Sequence, residues 1–303
     1  MPETLTKQSF IYEMSKEHKP SLVVKSGSQV TIETYDCFLN QITSDATEYS
    51  SIDWNQINPA TGPVYVEEAE PGDILAVTIN KIELEDQGVM VTGPGLGVMG
   101  ERISEFSVKV VPIKDNKAIF NENVQLPLNP MIGVIGVAPE DGAVSCGTPG
   151  NHGGNMDTVL ITENATVYFP VFHKGALFSL GDLHAAMGDG EIGVSGIEIP
   201  ARVHVTLKVM KGESIRTPVV ENEDGMAFLV SKETLDEAAD KAVEEMVDYL
   251  LGRTDLSLEE ITMLLSAAGQ VQISQIVDPL KTARCYLSKE VLKSLGITSV
   301  FEG

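Results

Sequence analysis

Positive charge is scarce in this sequence. Lys and Arg number 21 against 44 Asp and Glu, a formal net charge of −23 over 303 residues. Binding a phosphate backbone requires clustered Lys and Arg that displace counterions, so nucleic acid is excluded as a partner. Anionic lipid surfaces and anionic small molecules are repelled by the same field, to which a neutral substrate is indifferent. Cysteine is sparse too. Cys37, Cys146 and Cys285 are the only three, and an odd, thin set in a long chain is no disulfide framework, which favours a reducing compartment. No run approaches the roughly 18–20 apolar residues of a membrane-spanning helix, and the opening MPETLTKQSFIYEMSKEHKP has no apolar core or small-residue cleavage site. The expectation is a soluble, cytoplasmic protein with no membrane partner. Aromatic residues make up 6% of the chain, with a single Trp. The core must therefore be built from Val, Ile, Leu, Ala and Met, and few aromatics near the polar motifs point to a small pocket.

What is there suffices for a core: 43% hydrophobic residues and a mean hydropathy of +0.04. From about residue 21 to 207 the chain reads as short β-branched, partly alternating segments, at 29–34, 74–84 (ILAVTINKIEL), 108–113, 167–170 and 203–209. Punctuation such as NPATGP, EPGD, GPGLGVMG, GTPGNHGGN and GDGE lies between them. No long helical pattern alternates with the strands, which speaks for a sandwich or barrel and against βαβ units. The texture changes after about residue 228. Residues 231–251 read as an amphipathic helix, with Ser231 as N-cap, Leu235, Ala238, Ala242, Met246 and Leu250 on one face, and Gly252 ending it. A second helix starts near 256, a strand-like QVQISQIV follows, and 288–295 forms a last short helix. The expected fold is thus α+β and predominantly β. It consists of a sandwich- or barrel-like body (1–227) with a helical C-terminal region (228–303) packed on it.

Chemistry-capable side chains concentrate in three segments: TYDCFLNQI (34–42), TPGNHGGNMD (148–157) and LGDLHAAMGDGE (180–191). Of five histidines, His152, His173 and His184 lie in or near the last two. In GDLH, Asp182 and His184 leave the same face of an extended chain, half of a site for zinc or a similar divalent ion. A turn at Gly188-Asp189-Gly190 would swing Glu191 back towards His184, where a carboxylate can take a proton from an activated water. Asp-Gly is also an ordinary turn dipeptide, and His184 alone is as readily a satisfied core histidine. Asn155 and Asp157 repeat the same-face logic beside His152, and Gly153-Gly154 expose N–H groups that could hold a carbonyl or oxyanion. The competing reading is a glycine-rich hairpin with a structural His. Asp36 could complete a metal site, or Cys37 or Cys146 could act as a nucleophile, although buried Cys usually behaves as a small hydrophobe. The glycines of GPGLGVMG precede no suitable helix, which argues against a dinucleotide site, and no G-x-S-x-G elbow occurs.

Taken together, TIETYDCFLNQI, NPATGPVYVEEAEPGD, GVIGVAPEDG, HGGNMD and GDLHAAMGDGEI resemble the acetamidase/formamidase family over roughly residues 22–207. The resemblance implies a β-rich, usually dimeric or larger homo-oligomeric hydrolase that converts acetamide or formamide to carboxylate and ammonia. It also implies a divalent metal, with zinc the first candidate and calcium the second. Asp36, His152, Asn155, Asp157, Asp182, His184 and Glu191 fall inside the shared blocks. The expected arrangement has Asp36, His152, Asp157, Asp182 and His184 as candidate metal ligands, more than the three protein ligands of a catalytic zinc. Glu191 is the expected base, and Asn155 orients the amide or steadies the oxyanion. Two rivals stand beside it: the same reaction with a Cys nucleophile, and a non-catalytic β protein that binds a small molecule or metal.

Overall fold

A computed structural model describes residues 3–301. The longest expected strand forms as read, at Ile74–Leu84, and its alternation explains its place. Leu75 and Val77 point into one core while Ile74 and Ala76 point into another, the period-2 pattern of a strand covered on both faces. It lies within a nine-stranded sheet, flanked by Ala201–Met210 and Thr166–Pro170. Ser28–Glu33 pairs on the far side of Ala201–Met210. A six-stranded sheet contains Gly153–Asn155, Met131–Gly136, Phe178–His184 and Ala60–Val66 in that spatial order. Ile132, Ile135, Leu180 and Val64 of this sheet share one core with Ile32, Val77, Val203 and Val205 of the larger one. The body is therefore a β-sandwich. A third sheet carries Gln87–Thr92 and Ser107–Lys114.

The C-terminal third adds a layer on the outer face of the nine-stranded sheet. Helices α1 (Leu235–Leu251), α2 (Leu258–Ala268) and α3 (Lys289–Ser294) contribute Ala242, Met246, Leu250, Ile261, Leu265 and Leu292 to the second core. The same third also extends the sheet. Gly225–Lys232, Lys281–Ser288 and Gln270–Gln275 continue it to its edge, and the first of these runs across residues 227 and 228. Helix α1 starts later than its apolar period indicated. Ser231 belongs to the strand Gly225–Lys232, its hydroxyl 2.9 Å from that of Thr282, and the N-cap is Thr234. Thr234 accepts from the Glu237 N–H at 3.3 Å and Glu237 accepts from the Thr234 N–H at 3.2 Å, a capping box that fixes the start three residues on. Among the described residues no helix is long and apolar enough to cross a membrane.

Candidate active site

The site is assembled where the strand Met131–Gly136 runs between its antiparallel neighbours Phe178–His184 and Gly153–Asn155. That strand is buried throughout. It carries Gly133 at the one place where two carboxylates must come close. A Cβ there would lie 2.4 Å from Asp157 Oδ1 and 2.7 Å from Asp182 Oδ2. In GDLH the two side chains come together, His184 Nε2 lying 3.5 Å from Asp182 Oδ1. The Gly188–Gly190 turn does fold the chain back, bringing Glu191 Oε1 to 3.9 Å from the same nitrogen. Asp157, His184 and Glu191 each offer a ligand atom, and these atoms lie within 4.8 Å of one another. Asp157, Asp182 and Glu191 all hold left-handed backbone, with φ of 42°, 55° and 44°. Non-glycine residues adopt this region at a cost, and it recurs at functional sites.

Two participants were not singled out from the sequence. Glu198 Oε1 lies 3.1 Å from His184 Nε2, and Glu198 forms a second group with Cys37 and Asp182 whose ligand atoms also fall within 4.8 Å. Its backbone is clamped by reciprocal hydrogen bonds with Val89 at 2.8 and 2.9 Å. In the sequence it is the middle of Ile-Glu-Ile, which by alternation reads as one solvent-facing position; the signal was an acid between two buried isoleucines. Asp278, in VDPLK near the C-terminus, accepts from Asn155 Nδ2 at 3.0 Å. Only the fold brings it there. Asp189, read as a turn former, is also an anchor. The buried Arg284 donates to both its carboxylate oxygens, at 3.0 and 2.7 Å, and the Gly190 N–H donates to the Ser274 carbonyl at 2.8 Å. The edge of the C-terminal sheet thus holds the turn that presents Glu191.

Asp36 and His152 are not members of the two groups. The Asp36 carboxylate accepts from the N–H groups of Phe38 and Asn40 at 3.0 and 2.7 Å, bracing its own turn. Burial raises its pKa to about 6, with those N–H bonds opposing. His152 is buried beside the Gly150 turn, and burial lowers its pKa to about 4. His173 is held by the carbonyls of Pro139 and Glu140. The Gly153-Gly154 pair differs from the expected carbonyl-binding role. Gly153 donates its N–H to the Gly150 carbonyl at 3.1 Å, and a Cβ on it would meet the Ile135 carbonyl at 2.2 Å. These glycines permit close packing on the neighbouring strand.

Electrostatically the cluster is an acid-rich pit. Burial, then the charges of Glu191 and Asp182, pushes the Asp157 carboxyl well above its ordinary range. Burial does the same to Glu191, with His184 opposing, and raises Glu198 to about 8. Burial also works against ionising Asp182, but the His184 charge overcomes it and holds this carboxyl low. Burial disfavours the His184 imidazolium, yet Glu198 and Asp182 outweigh it and raise that pKa. The thiols are held protonated: burial and the nearby acids push Cys37 well up, and burial lifts Cys146 to about 12. Both are poor sources of thiolate.

A cavity of about 370 Å³ adjoins this pit, with Asn155, Asp182, Glu191, Glu198 and Asp278 among its lining residues. Asp157 Oδ1 and Oδ2, Asp182 Oδ1, His184 Nδ1 and Nε2, Glu198 Oε2 and Asn155 Oδ1 are buried and meet no hydrogen-bond partner among the described residues. Buried polar atoms are rarely left so, and this many in one place mark a site made for a ligand.

The model of the acetamidase/formamidase family matches residues 15–146 and 141–293, and the chain belongs to that family. It is similar to a putative formamidase of Schizosaccharomyces pombe, 26% identical over 254 residues, covering 62% of this chain and 61% of that protein. The chain spans about three fifths of the length of the curated relatives it matches. Among solved structures it is similar to a predicted acetamidase/formamidase from Thermoanaerobacter tengcongensis, 52% identical with a TM-score of 0.96, covering 99% of each chain. It is also similar to an acetamidase from Bacillus halodurans, 46% identical with a TM-score of 0.95, covering 97% of this chain and 99% of that one.

Proposed function

We propose that the chain hydrolyses a small neutral carboxamide to its carboxylate and ammonia, with a divalent cation, zinc in first place, held by Asp157, His184 and Glu198 or Asp182. The observation that carries this reading is the set of unpartnered buried polar atoms on Asp157, Asp182, His184, Glu198 and Asn155, of which Asp182, Glu198 and Asn155 line the cavity. The donor set fits a cation. Burial first, and then the crowding of four acids around one imidazole, draws three of those acids towards holding protons, and the acids do the same to the imidazole. A bound divalent ion would neutralise that excess, polarise an amide carbonyl and acidify water.

The chain's own groups then have distinct tasks. Asn155 has its Nδ2 engaged by Asp278, which leaves Oδ1 to accept from the substrate NH₂ and orient it. Glu191 lines the cavity, and its raised pKa suits a group that takes a proton from the attacking water and delivers it to the departing nitrogen. Asp182 Oδ1 and Glu198 Oε1 face His184 Nε2 at 3.5 and 3.1 Å, converging with it on one place for the ion. The acid-rich floor and the net charge of −23 favour release of the anionic product. The raised thiol pKa values speak against a Cys nucleophile. The same reading places the protein in the cytoplasm as a homodimer or higher homo-oligomer, which sedimentation at working concentration would check.

The experiment is ammonia release from formamide, acetamide and propionamide before and after exhaustive chelation, with metal add-back. Release that vanishes and returns with the metal supports the reading and ranks zinc against calcium. Release that survives chelation moves the chemistry to the acids alone, and no release from any amide sinks it.

A further inference from the structure

The cavity is larger than formamide or acetamide would fill. Besides the acids it is lined largely by apolar groups, Phe38, Trp54, Ile57, Val91, Leu96 and Val194 among them. A water's share of liquid volume is roughly 30 Å³, so a four-heavy-atom amide occupies on the order of 100 Å³. Most of the 370 Å³ is then left over.

This wall is braced. Trp54 stacks on Tyr49 with ring centroids 4.8 Å apart and meets Phe38 and Phe106 edge-on at 6.2 and 6.0 Å. Cys37, Phe38, Ile52, Val89, Val91 and Val108 form a small core behind it. The apolar character continues outward, where Val98 and Ile192 are exposed and joined by a 2.9 Å hydrogen bond from the Val98 N–H to the Ile192 carbonyl. Aromatic residues are few in the chain, yet several gather at the cavity. Aromatic residues at 38, 49, 54 and 106 converge beside it.

An apolar chamber in direct continuity with an acid-rich polar end selects a molecule of the same build: a neutral polar head and a hydrocarbon tail. Resting on the amide-hydrolase reading, we infer that the substrates of this site are carboxamides with an apolar acyl tail of about five carbons, whose carbons beyond acetamide take up roughly 120 Å³, about half of the remaining volume, at about 30 Å³ per heavy atom. The acids at the head end, and the negative field around them, disfavour a tail that ends in a carboxylate.

Two measurements on the whole protein test this. The first is kcat/KM for ammonia release from formamide, acetamide, butanamide and hexanamide. Each added methylene that leaves water is expected to raise kcat/KM by up to about fourfold. An increase of at least tenfold from acetamide to hexanamide, carried by a falling KM, is the supporting result. A flat or falling series beyond acetamide overturns the inference while leaving amide hydrolysis standing. In Leu96→Gln the hexanamide-to-acetamide ratio should fall at least threefold, and an unchanged ratio counts against the chamber. The second measurement does not depend on turnover. Trp54 is the only tryptophan in the chain and lines the chamber, so its emission reports occupancy. Heptan-2-one and acetone are isosteres of hexanamide and acetamide that cannot lose ammonia. Half-saturation by heptan-2-one at a concentration at least tenfold lower supports the tail site. Equal response, or none, overturns it, including in the case where no amide is hydrolysed and the parent reading fails.

Discussion

The pit around His184 and the helical layer of the C-terminal third are built on opposite terms. In the helical layer each local choice agrees with the whole. Thr234 and Ser257 each begin a helix with a reciprocal capping box, and the apolar face of α1 fills a core against the nine-stranded sheet. In the pit, carboxylates crowd one imidazole, three of them sit on left-handed backbone, and polar atoms are buried without partners. Such an arrangement costs stability unless a ligand completes it. The difference separates what folds the protein from what the fold is for. Neutralising an acid of the pit should alter chemistry and leave stability equal or improved, whereas changes in the helical layer should do the reverse.

The sharpest test is Gly133→Ala. Its methyl group would overlap Asp157 and Asp182, so kcat/KM should fall at least about a thousandfold, because misplacing reacting groups by an ångström already costs about a hundredfold. Near wild-type turnover would mean the two acids are not jointly required. Glu191→Gln removes the proton carrier and should lower kcat by about 10²–10⁴-fold with little change in KM. An effect on KM alone would make Glu191 a binding group.

Arg284 lies between the two regions, since it belongs to the C-terminal sheet yet holds the turn before Glu191. Arg284→Met should cost about 2–3 kcal/mol in denaturant unfolding and also reduce kcat. Loss of stability with kcat intact would cut the proposed link. Asp157→Asn should do the opposite in chelated protein. The folded-state pKa of Asp157 is raised above its unfolded value, so its ionisation destabilises the fold as pH rises above the usual carboxylate range. The variant escapes that penalty and should be more stable at pH 7 by on the order of 1 kcal/mol, with activity lost. Smallest is Thr234→Ala, about 1 kcal/mol less stable with kcat/KM unchanged.

The sequence was most informative where periodicity is local. The strand 74–84 and the helix starting at Ser257 follow from alternation and a capping pattern, because both depend on neighbours a few residues away. Ser231 shows the limit. Two capping-type residues, Ser231 and Thr234, lie three apart, and only the pairing of Gly225–Lys232 with Lys281–Ser288 assigns the first to a strand. The proximity of Asp182, His184 and Glu191 was legible because a short turn links them. Asp36 and His152 carry the same residue chemistry, and Asp36 spends its carboxylate on the N–H groups of its own turn.

By itself the sequence determined a β-rich body with a helical layer, an acidic surface unsuited to nucleic acid, and the family to which the blocks around Asp36, His152 and His184 belong. Only the tertiary structure decided that Glu198 and Asp278 join the pit, that Arg284 anchors Asp189, and that an aromatic-walled chamber adjoins the acids. The reason is separation along the chain. Glu198 reaches the site through pairing with Val89, and Asp278 reaches Asn155 across 123 residues of sequence. Contacts of that span are fixed by how sheets stack and which strands become neighbours, and no local pattern records them.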